Sequence, residues 1–395
     1  MASDLLSRRS CLRRLAAVPA ATSLAPLLGL SACGGGGGDA GSVAAASSTA
    51  SPAQAAQGAA STRGWRMGFG GLPPRFDVAT AVQGISLWAP RAEVAAIHEE
   101  IPWQALLAGA DALALVQAEK LPLVNLYRAH GLKLLFVAEL NDGMARELEA
   151  PQLRALGRSL AEPAVQAAWR AYVLAVARVL QPDWLCLATE TNLVRAAAPA
   201  PLYAAVVRAA NEAAVELRAA GLARPPQLLT SVQVECAWGR LGVQTGQTGQ
   251  AGPYVGIAAD RRDFGFADAL GLSSYPYLAY ERPEQIPADH YSRLLDGGSL
   301  PVLVSECGWS SAAVGGHAGS LADQSAYWLR HADLLDGIGA QAVVQLLFAD
   351  LDLAALAQPV GENLPLFAHI GLADAQFGAK PALEVWDRLR GRRLS

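Results

Sequence analysis

The sequence predicts an α/β protein built as one (β/α)8 TIM barrel, preceded by an export signal and a flexible linker. Two observations favour this fold. Eight short apolar runs typical of buried parallel strands recur at intervals of about 40 residues, separated by helical or loop segments, which suits an eight-stranded barrel. Several runs end on carboxylates or aromatic residues, as expected where barrel strands end and chemistry takes place.

The predicted strands are residues 65–69, 93–98, 133–140, 184–188, 227–234, 267–272, 302–305 and 340–348. The predicted helices are residues 110–129, 152–180, 203–220, 321–335 and 381–390, with an extended loop at 240–263. A doubly wound open sheet is the alternative. That fold usually has a G-x-G-x-x-G loop after its first strand, whereas here the chain continues Gly70-Gly71-Leu72-Pro73-Pro74, so the barrel is favoured.

Residues 1–33 resemble a twin-arginine lipoprotein signal. Arg8 and Arg9 form the twin pair, with Cys11 where that pattern usually has Phe, and Leu30-Ser31-Ala32-Cys33 resembles a lipobox. We expect export to the periplasm or cell surface and lipid anchoring at Cys33; an ordinary secretory signal with a coincidental cysteine is the alternative. Residues 34–62 are rich in Gly, Ala and Ser, which predicts a linker, and residues 63–395 form the predicted domain.

Composition excludes several classes of function. The 395 residues are 52% hydrophobic with a net charge of −4, and no basic stripe is present, so nucleic-acid binding is not expected. No apolar run is long enough to cross a bilayer, so membrane contact is expected through the lipid anchor only. Outside the signal, Cys186, Cys236 and Cys307 follow or lie in strand-like runs and are predicted to be buried thiols, with one disulfide as the alternative.

Two glutamates carry the functional hypothesis. Glu190 ends the predicted fourth strand and Glu306 ends the seventh, and these strand ends face each other across the mouth of a barrel. A single glutamate after a strand is more often a helix cap or an ion-pair partner. Two carboxylates that face each other across an aromatic-lined cleft are what a glycosidase needs.

Three segments resemble the clan A glycoside hydrolases, and most closely the arabinogalactan endo-β-1,4-galactanase family. They are Thr-Glu-Thr-Asn at residues 189–192, Gly-Leu-Ser-Ser-Tyr-Pro-Tyr at 271–277 and Val-Ser-Glu-Cys-Gly-Trp at 304–309. The resemblance spans about residues 64–390 and includes Ile-Gly-Leu at 370–372 and Lys-Pro-Ala at 380–382. It implies a retaining enzyme with Glu190 as acid/base, Glu306 as nucleophile and Tyr275 as the residue that positions the nucleophile.

The chain departs from this clan at two positions. Thr189 stands where the clan has an Asn that contacts the sugar, and residues 346–350 lack the Trp that commonly ends the eighth strand. The first hypothesis is therefore a glycosidase that cleaves a β-linked poly- or oligosaccharide. The alternative is a non-catalytic surface lipoprotein that binds glycan, and transglycosylation by the same residues is a third reading.

Several further side chains are predicted to bind substrate because they lie at or just after strand ends. They are His98, Asn192, Glu235, Trp238 and Trp309. For each of them, a role in packing or capping is the alternative. No cluster with zinc-ligand spacing, no calcium loop and no serine nucleophile elbow is present. Neither a metal nor another cofactor is expected.

Overall fold

A computed structural model describes residues 61–241, 252–295, 297–356 and 363–395. Eight parallel strands form a closed barrel in chain order, which confirms the predicted fold class. The strands are β1 (Arg66–Gly70), β2 (Val94–Glu100), β3 (Lys133–Glu139), β4 (Trp184–Ala188), β5 (Gln227–Gln233), β6 (Ala269–Ser274), β7 (Val302–Cys307) and β8 (Ala342–Gln345). The barrel closes because β1 pairs with both β2 and β8.

Helices and short helical turns connect the strands. They are α1 (Val78–Trp88), α2 (Trp103–Leu107), α3 (Ala112–Glu119), α4 (Leu121–Ala129), α5 (Pro151–Ala155), α6 (Pro163–Leu180), α7 (Thr191–Ala197), α8 (Ala200–Ala219), α9 (Val234–Ala237), α10 (Ala258–Asp263), α11 (Ser292–Leu295), α12 (Leu321–Gly337) and α13 (Pro381–Arg390). Side chains cap several of them; Asp77, for example, accepts the Thr80 N–H at the start of α1.

Each predicted strand overlaps an observed strand, but the helix predictions need correction. The helix predicted at 110–129 is two helices, α3 and α4, because Pro122 has no N–H to continue the first one. The helix predicted at 152–180 is likewise interrupted, and Pro163 begins α6. Helix α1 was not predicted. Part of the loop predicted at 240–263 forms α10, and residues 242–251 lie outside the described residues.

The hydrophobic core has two layers. Alternate strand residues point into the barrel and fill it, and they include Val94, Leu135, Cys186, Leu229 and Leu303. The residues between them point outward and pack against the helices. The mouth of the barrel therefore sits on a filled interior, and a strand residue contributes to a site only near the carboxyl end of its strand.

The pairing register shifts beside both predicted catalytic glutamates. Between β4 and β5 the register runs from Cys186 directly to Ala188, and between β7 and β8 it shifts between Val304 and Cys307. The pairing of β6 with β7 also shifts, so that Ser273 lies opposite Glu306. Such bulges bend a strand and re-aim the side chains that follow, and they are frequent beside active sites.

A short parallel pair joins the two ends of the described chain, Thr62–Arg63 with Arg393–Leu394. The buried guanidinium of Arg63 pairs with Glu93 at 2.5 Å and anchors this pair to the barrel. The predicted export signal and residues 34–60 of the predicted linker lie outside the described residues. In the described ranges, no helix has the length and apolar character needed to cross a membrane.

The three cysteines of the domain are free and buried, so the disulfide alternative is not realised. Burial raises the pKa of each thiol above its ordinary value. A thiol of this kind behaves as a small apolar side chain and not as a nucleophile.

Candidate active site

Glu190 and Glu306 line the same inner cavity, of about 70 Å³, at the carboxyl end of the barrel. Glu190 comes two residues after β4 ends, and Glu306 is the penultimate residue of β7. Their exposed fractions are only 8% and 7%. The structure therefore brings together the two carboxylates that the strand count placed opposite each other.

The Glu306 carboxylate is held from the neighbouring strand. The Tyr275 hydroxyl donates a hydrogen bond to Glu306 Oε2 over 2.9 Å. The His98 Nε2 atom lies 4.0 Å from Glu306 Oε1, so His98 also faces the cavity. Burial and the charge of Glu190 raise the pKa of Glu306 to about 8. Glu306 therefore holds a proton at neutral pH.

The Glu190 carboxylate is fixed by two donors. The Ser273 hydroxyl donates to Oε1 over 2.7 Å and the Arg146 Nε–H donates to Oε2 over 2.8 Å. The backbone of Glu190 is left-handed, with φ at 46°, and its N–H donates to Ser231 Oγ over 2.9 Å. A non-glycine residue in this region costs roughly 1–2 kcal/mol, and such strain concentrates at functional sites.

Arg146 links Glu190 to a third carboxylate, Glu139, at the end of β3. Arg146 Nη1 lies 2.5 Å from Glu139 Oε2, and the Thr189 hydroxyl donates to the same oxygen over 3.0 Å. Burial raises the pKa of Glu139, but Arg146 outweighs it and the net pKa is lowered. Burial lowers the pKa of Arg146, while Glu139 and Glu190 raise it well above its ordinary value. Arg146 is therefore a permanent cation between two carboxylates.

Arg146 and Ser273 are site residues that the sequence did not single out. Arg146 lies seven residues beyond Glu139 in an irregular loop, and no short spacing pattern marks that pair. Ser273 does fall within the sixth-strand segment 271–277. Its place opposite Glu306 in the strand register is the signal that could have found it.

Glu235 supports the site from behind and does not face the cavity. It is fully buried, and its two carboxylate oxygens accept hydrogen bonds from Ser274 Oγ at 2.9 Å and from the Tyr275 N–H at 3.0 Å. Its Oε1 also lies 3.1 Å from His290 Nε2. The prediction that Glu235 contacts substrate is thus corrected: its carboxylate instead holds the backbone of Tyr275.

Three other predicted substrate-binding side chains are occupied elsewhere, and these predictions are corrected. The Asn192 amide exchanges two hydrogen bonds of 2.8 Å with the backbone of Gln233. Trp309 is completely buried and packs against Tyr327, so it offers no face to a sugar. Trp238 donates its indole N–H to the carbonyl of His290, and its ring lies against the His290 ring and the Arg293 guanidinium.

The two positions that depart from clan A also have defined surroundings. Thr189, at the position where the resemblance implies a sugar-contacting Asn, is buried and bonded to Glu139. Leu346 and Leu347 follow β8 and line the inner cavity, where the clan commonly places a Trp. Apolar side chains therefore form much of the cavity wall around the charged groups.

A larger outer cavity, of about 450 Å³, opens beside the inner one on the Glu190 side. Glu190, Arg146 and Tyr275 line both cavities, so the two are continuous. Other lining residues come from the loops after β5 and β7, among them Arg240 and His317. Within the described residues, no group of three or more His, Cys, Asp or Glu side chains could hold a metal ion.

The barrel is shared with solved glycoside hydrolases. GH5_18 from Bifidobacterium longum subsp. longum ATCC 55813 aligns with a TM-score of 0.59 and 15% identity over 82% of this chain and 78% of its own. The exo-β-1,4-mannosidase from Opitutaceae bacterium strain TAV5 aligns with a TM-score of 0.59 and 16% identity, over 82% and 58%. A fungal β-1,4-galactanase aligns with a TM-score of 0.50 and 14% identity, over 78% and 91%.

At these identities the likeness is one of fold. No protein-family description and no curated protein matches the sequence. A shared fold does not specify a reaction, which depends on the residues of the site.

Proposed function

We propose that the protein is a retaining glycoside hydrolase that cleaves a β-linked polysaccharide or oligosaccharide. The observation that carries the proposal is the pair of buried carboxylates, Glu190 and Glu306, in one cavity at the carboxyl end of a TIM barrel. The solved structures with the same barrel include enzymes named for β-1,4-mannosidase and β-1,4-galactanase activity, which agrees with a β-linked substrate.

In the proposed reaction Glu306 is the nucleophile and Glu190 is the acid/base. The Glu306 carboxylate attacks the anomeric carbon while Glu190 gives its proton to the departing glycosidic oxygen, and a covalent glycosyl–enzyme forms. Glu190, now ionised, then removes a proton from a water molecule that attacks the same carbon and releases the sugar. A sugar hydroxyl in place of that water would give transglycosylation.

Tyr275 positions the nucleophile in this scheme. Its hydrogen bond selects one oxygen of Glu306 and leaves Oε1 facing His98 and the cavity. Glu235 fixes Tyr275 in turn through the Tyr275 backbone. Burial and the Glu306 charge raise the pKa of Tyr275 well above its ordinary value, so the phenol keeps its proton as a donor throughout the cycle.

The test is the stereochemistry of hydrolysis. Purified protein is screened on β-mannan, β-galactan and β-glucan and on aryl β-glycosides, and the anomer first released is read by proton NMR. First release of the β anomer by the wild type, together with loss of hydrolysis in Glu306→Gln, supports the proposal. First release of the α anomer would contradict a glycosyl–enzyme intermediate.

Glycan binding without hydrolysis is the second candidate. The Arg146–Glu190 contact favours it, because the guanidinium already occupies one oxygen of the proposed acid. Thr189 also lacks the amide that would contact the sugar. This candidate predicts binding on a glycan array and no product after long incubation with the bound glycans.

We also propose that the protein is exported and anchored through a lipid on Cys33. The support is the sequence alone: the twin arginines Arg8 and Arg9 and the lipobox-like residues before Cys33. Labelling with a fatty-acid analogue tests the anchor. Label on the wild type that is absent from Cys33→Ser supports it, and label that persists in Cys33→Ser contradicts it.

A further inference from the structure

We propose that the outer cavity binds a uronic acid residue of an acidic glycan, and that Arg240 and Arg146 receive its carboxylate. This inference rests on the proposed glycosidase function, since it names the substrate class of the same site. The outer cavity adjoins Glu190, the residue that protonates the departing oxygen, so the uronate would occupy the leaving-group side of the scissile bond.

Arg240 places a positive charge on the wall of the outer cavity. Its guanidinium lies 5.6 Å from the centre of the Tyr280 ring, and the residue is only partly exposed. Among the described residues, no carboxylate lies within ion-pair distance of it. An aromatic ring orients a guanidinium without cancelling its charge. Arg240 is thus a positioned cation on the wall of a cavity large enough for a sugar.

Arg146 stands where the inner and outer cavities meet. Its Nε–H donates a hydrogen bond to Glu190 and its Nη1 forms an ion pair with Glu139, so each carboxylate binds a different nitrogen of the guanidinium. A substrate carboxylate at this junction would compete with Glu190 for Nε while Glu139 keeps Nη1. Glu190 would then be released from its ion pair, as the proposed acid step requires.

The other titratable groups on this wall do not oppose the proposal. Burial lowers the pKa of His317, so this side chain is neutral near pH 7. Glu147 is exposed at the rim, where solvent screens its charge. A planar guanidinium pairs with a carboxylate through two parallel hydrogen bonds, a geometry that a neutral hydroxymethyl group cannot match.

The test compares sugars that differ only at C6. The probes are β-1,4-tetramannuronate with β-1,4-mannotetraose, and β-1,4-tetraglucuronate with cellotetraose. Binding to Glu306→Gln is measured by calorimetry at low ionic strength, so that no probe is consumed. We expect at least one uronate to bind on the order of tenfold more tightly than its neutral counterpart, and added salt to reduce the difference.

Arg240→Gln, combined with Glu306→Gln, should remove most of the preference for the uronate. The affinity for the neutral tetramers should stay unchanged. Arg224→Gln is the matched control, because Arg224 is an exposed arginine in the loop that precedes β5, at the opposite end of the barrel. The proposal is overturned if both uronates bind no more tightly than the neutral sugars, or if Arg240→Gln and Arg224→Gln have the same effect.

These outcomes are separable from failure of the glycosidase proposal. If the wild-type protein binds uronates preferentially but hydrolyses no glycan, the uronate site is supported and the glycosidase proposal is contradicted. If it hydrolyses neutral β-glycans and shows no preference for uronates, the glycosidase proposal is supported and the uronate site is contradicted.

Discussion

The Arg146 guanidinium donates a hydrogen bond to Glu190 Oε2 over 2.8 Å, so the residue proposed as the catalytic acid is ion-paired in the unliganded protein. The ion pair needs an ionised Glu190, whereas the first catalytic step needs a protonated one. The proton that Glu306 holds at neutral pH must therefore pass to Glu190 once a glycoside is bound.

Removing either carboxylate should abolish hydrolysis in a way that identifies its role. Glu306→Ala and Glu190→Ala are each expected to lose on the order of 10²–10⁴-fold or more in kcat on an aryl β-glycoside. Azide should rescue both. Because azide replaces the missing nucleophile in one variant and attacks the glycosyl–enzyme in the other, NMR should find an α-glycosyl azide with Glu306→Ala and a β-glycosyl azide with Glu190→Ala. The opposite pairing would exchange the two roles.

The pH dependence of kcat/KM should have a basic limb near pH 8. Burial and the charge of Glu190 raise the pKa of Glu306 to about 8. Below that pH Glu306 keeps a proton that can pass to Glu190 for the first step. Above it this proton is lost to solvent, so kcat/KM should fall. A value of kcat/KM that stays constant from pH 7 to 10 would contradict this source of the catalytic proton.

Tyr275→Phe should lower kcat with little change in KM. The variant keeps the ring and removes the hydroxyl that donates to Glu306 Oε2, so the nucleophile loses its orientation but the cavity keeps its shape. We expect a loss of roughly 10- to 100-fold, since misplacing a reacting group by about 1 Å is that costly. Tyr277→Phe is the control, because its hydroxyl donates to the Leu366 carbonyl. Equal losses in both variants would point to a general packing effect.

Arg146→Met should destabilise the fold, because it leaves Glu139 buried without its cation. Breaking one partner of a buried ion pair costs about 3–5 kcal/mol, measured as the free energy of unfolding in urea. Glu139→Gln in the same chain should recover part of this loss. Arg154→Gln, which breaks the more exposed pair with Asp142, should cost less than about 1 kcal/mol. Additive effects of Arg146→Met and Glu139→Gln would show that the two side chains are not coupled.

Much of the barrel could be predicted from local patterns. Apolar runs at regular intervals specify buried parallel strands, and their order around a barrel places Glu190 and Glu306 at one mouth. Helix breaks were harder to predict, because one proline ends a helix within a stretch that otherwise keeps its apolar spacing, as at Pro122. Helix α1 was not predicted either; in the fold its Trp88 ring packs against Phe69 of β1.

The predictions for individual site residues depended on side-chain direction, which sequence position does not specify. Trp309 and Asn192 follow strand ends as predicted, yet Trp309 turns into the packing between β7 and α12 and Asn192 bonds to the backbone of β5. His98 does face the cavity. A chain that leaves a strand can turn either way, and the neighbouring elements decide which.

The sequence by itself determined the fold class and the two strand ends on which the glutamates stand, because both follow from short-range hydrophobic pattern and chain order. Only the tertiary structure decided how those glutamates are held. Arg146 meets Glu190 across 44 residues, Tyr275 meets Glu306 across 31, and the strand register shifts beside both glutamates. Such contacts arise when the barrel closes, since closure brings the ends of distant strands within hydrogen-bond distance.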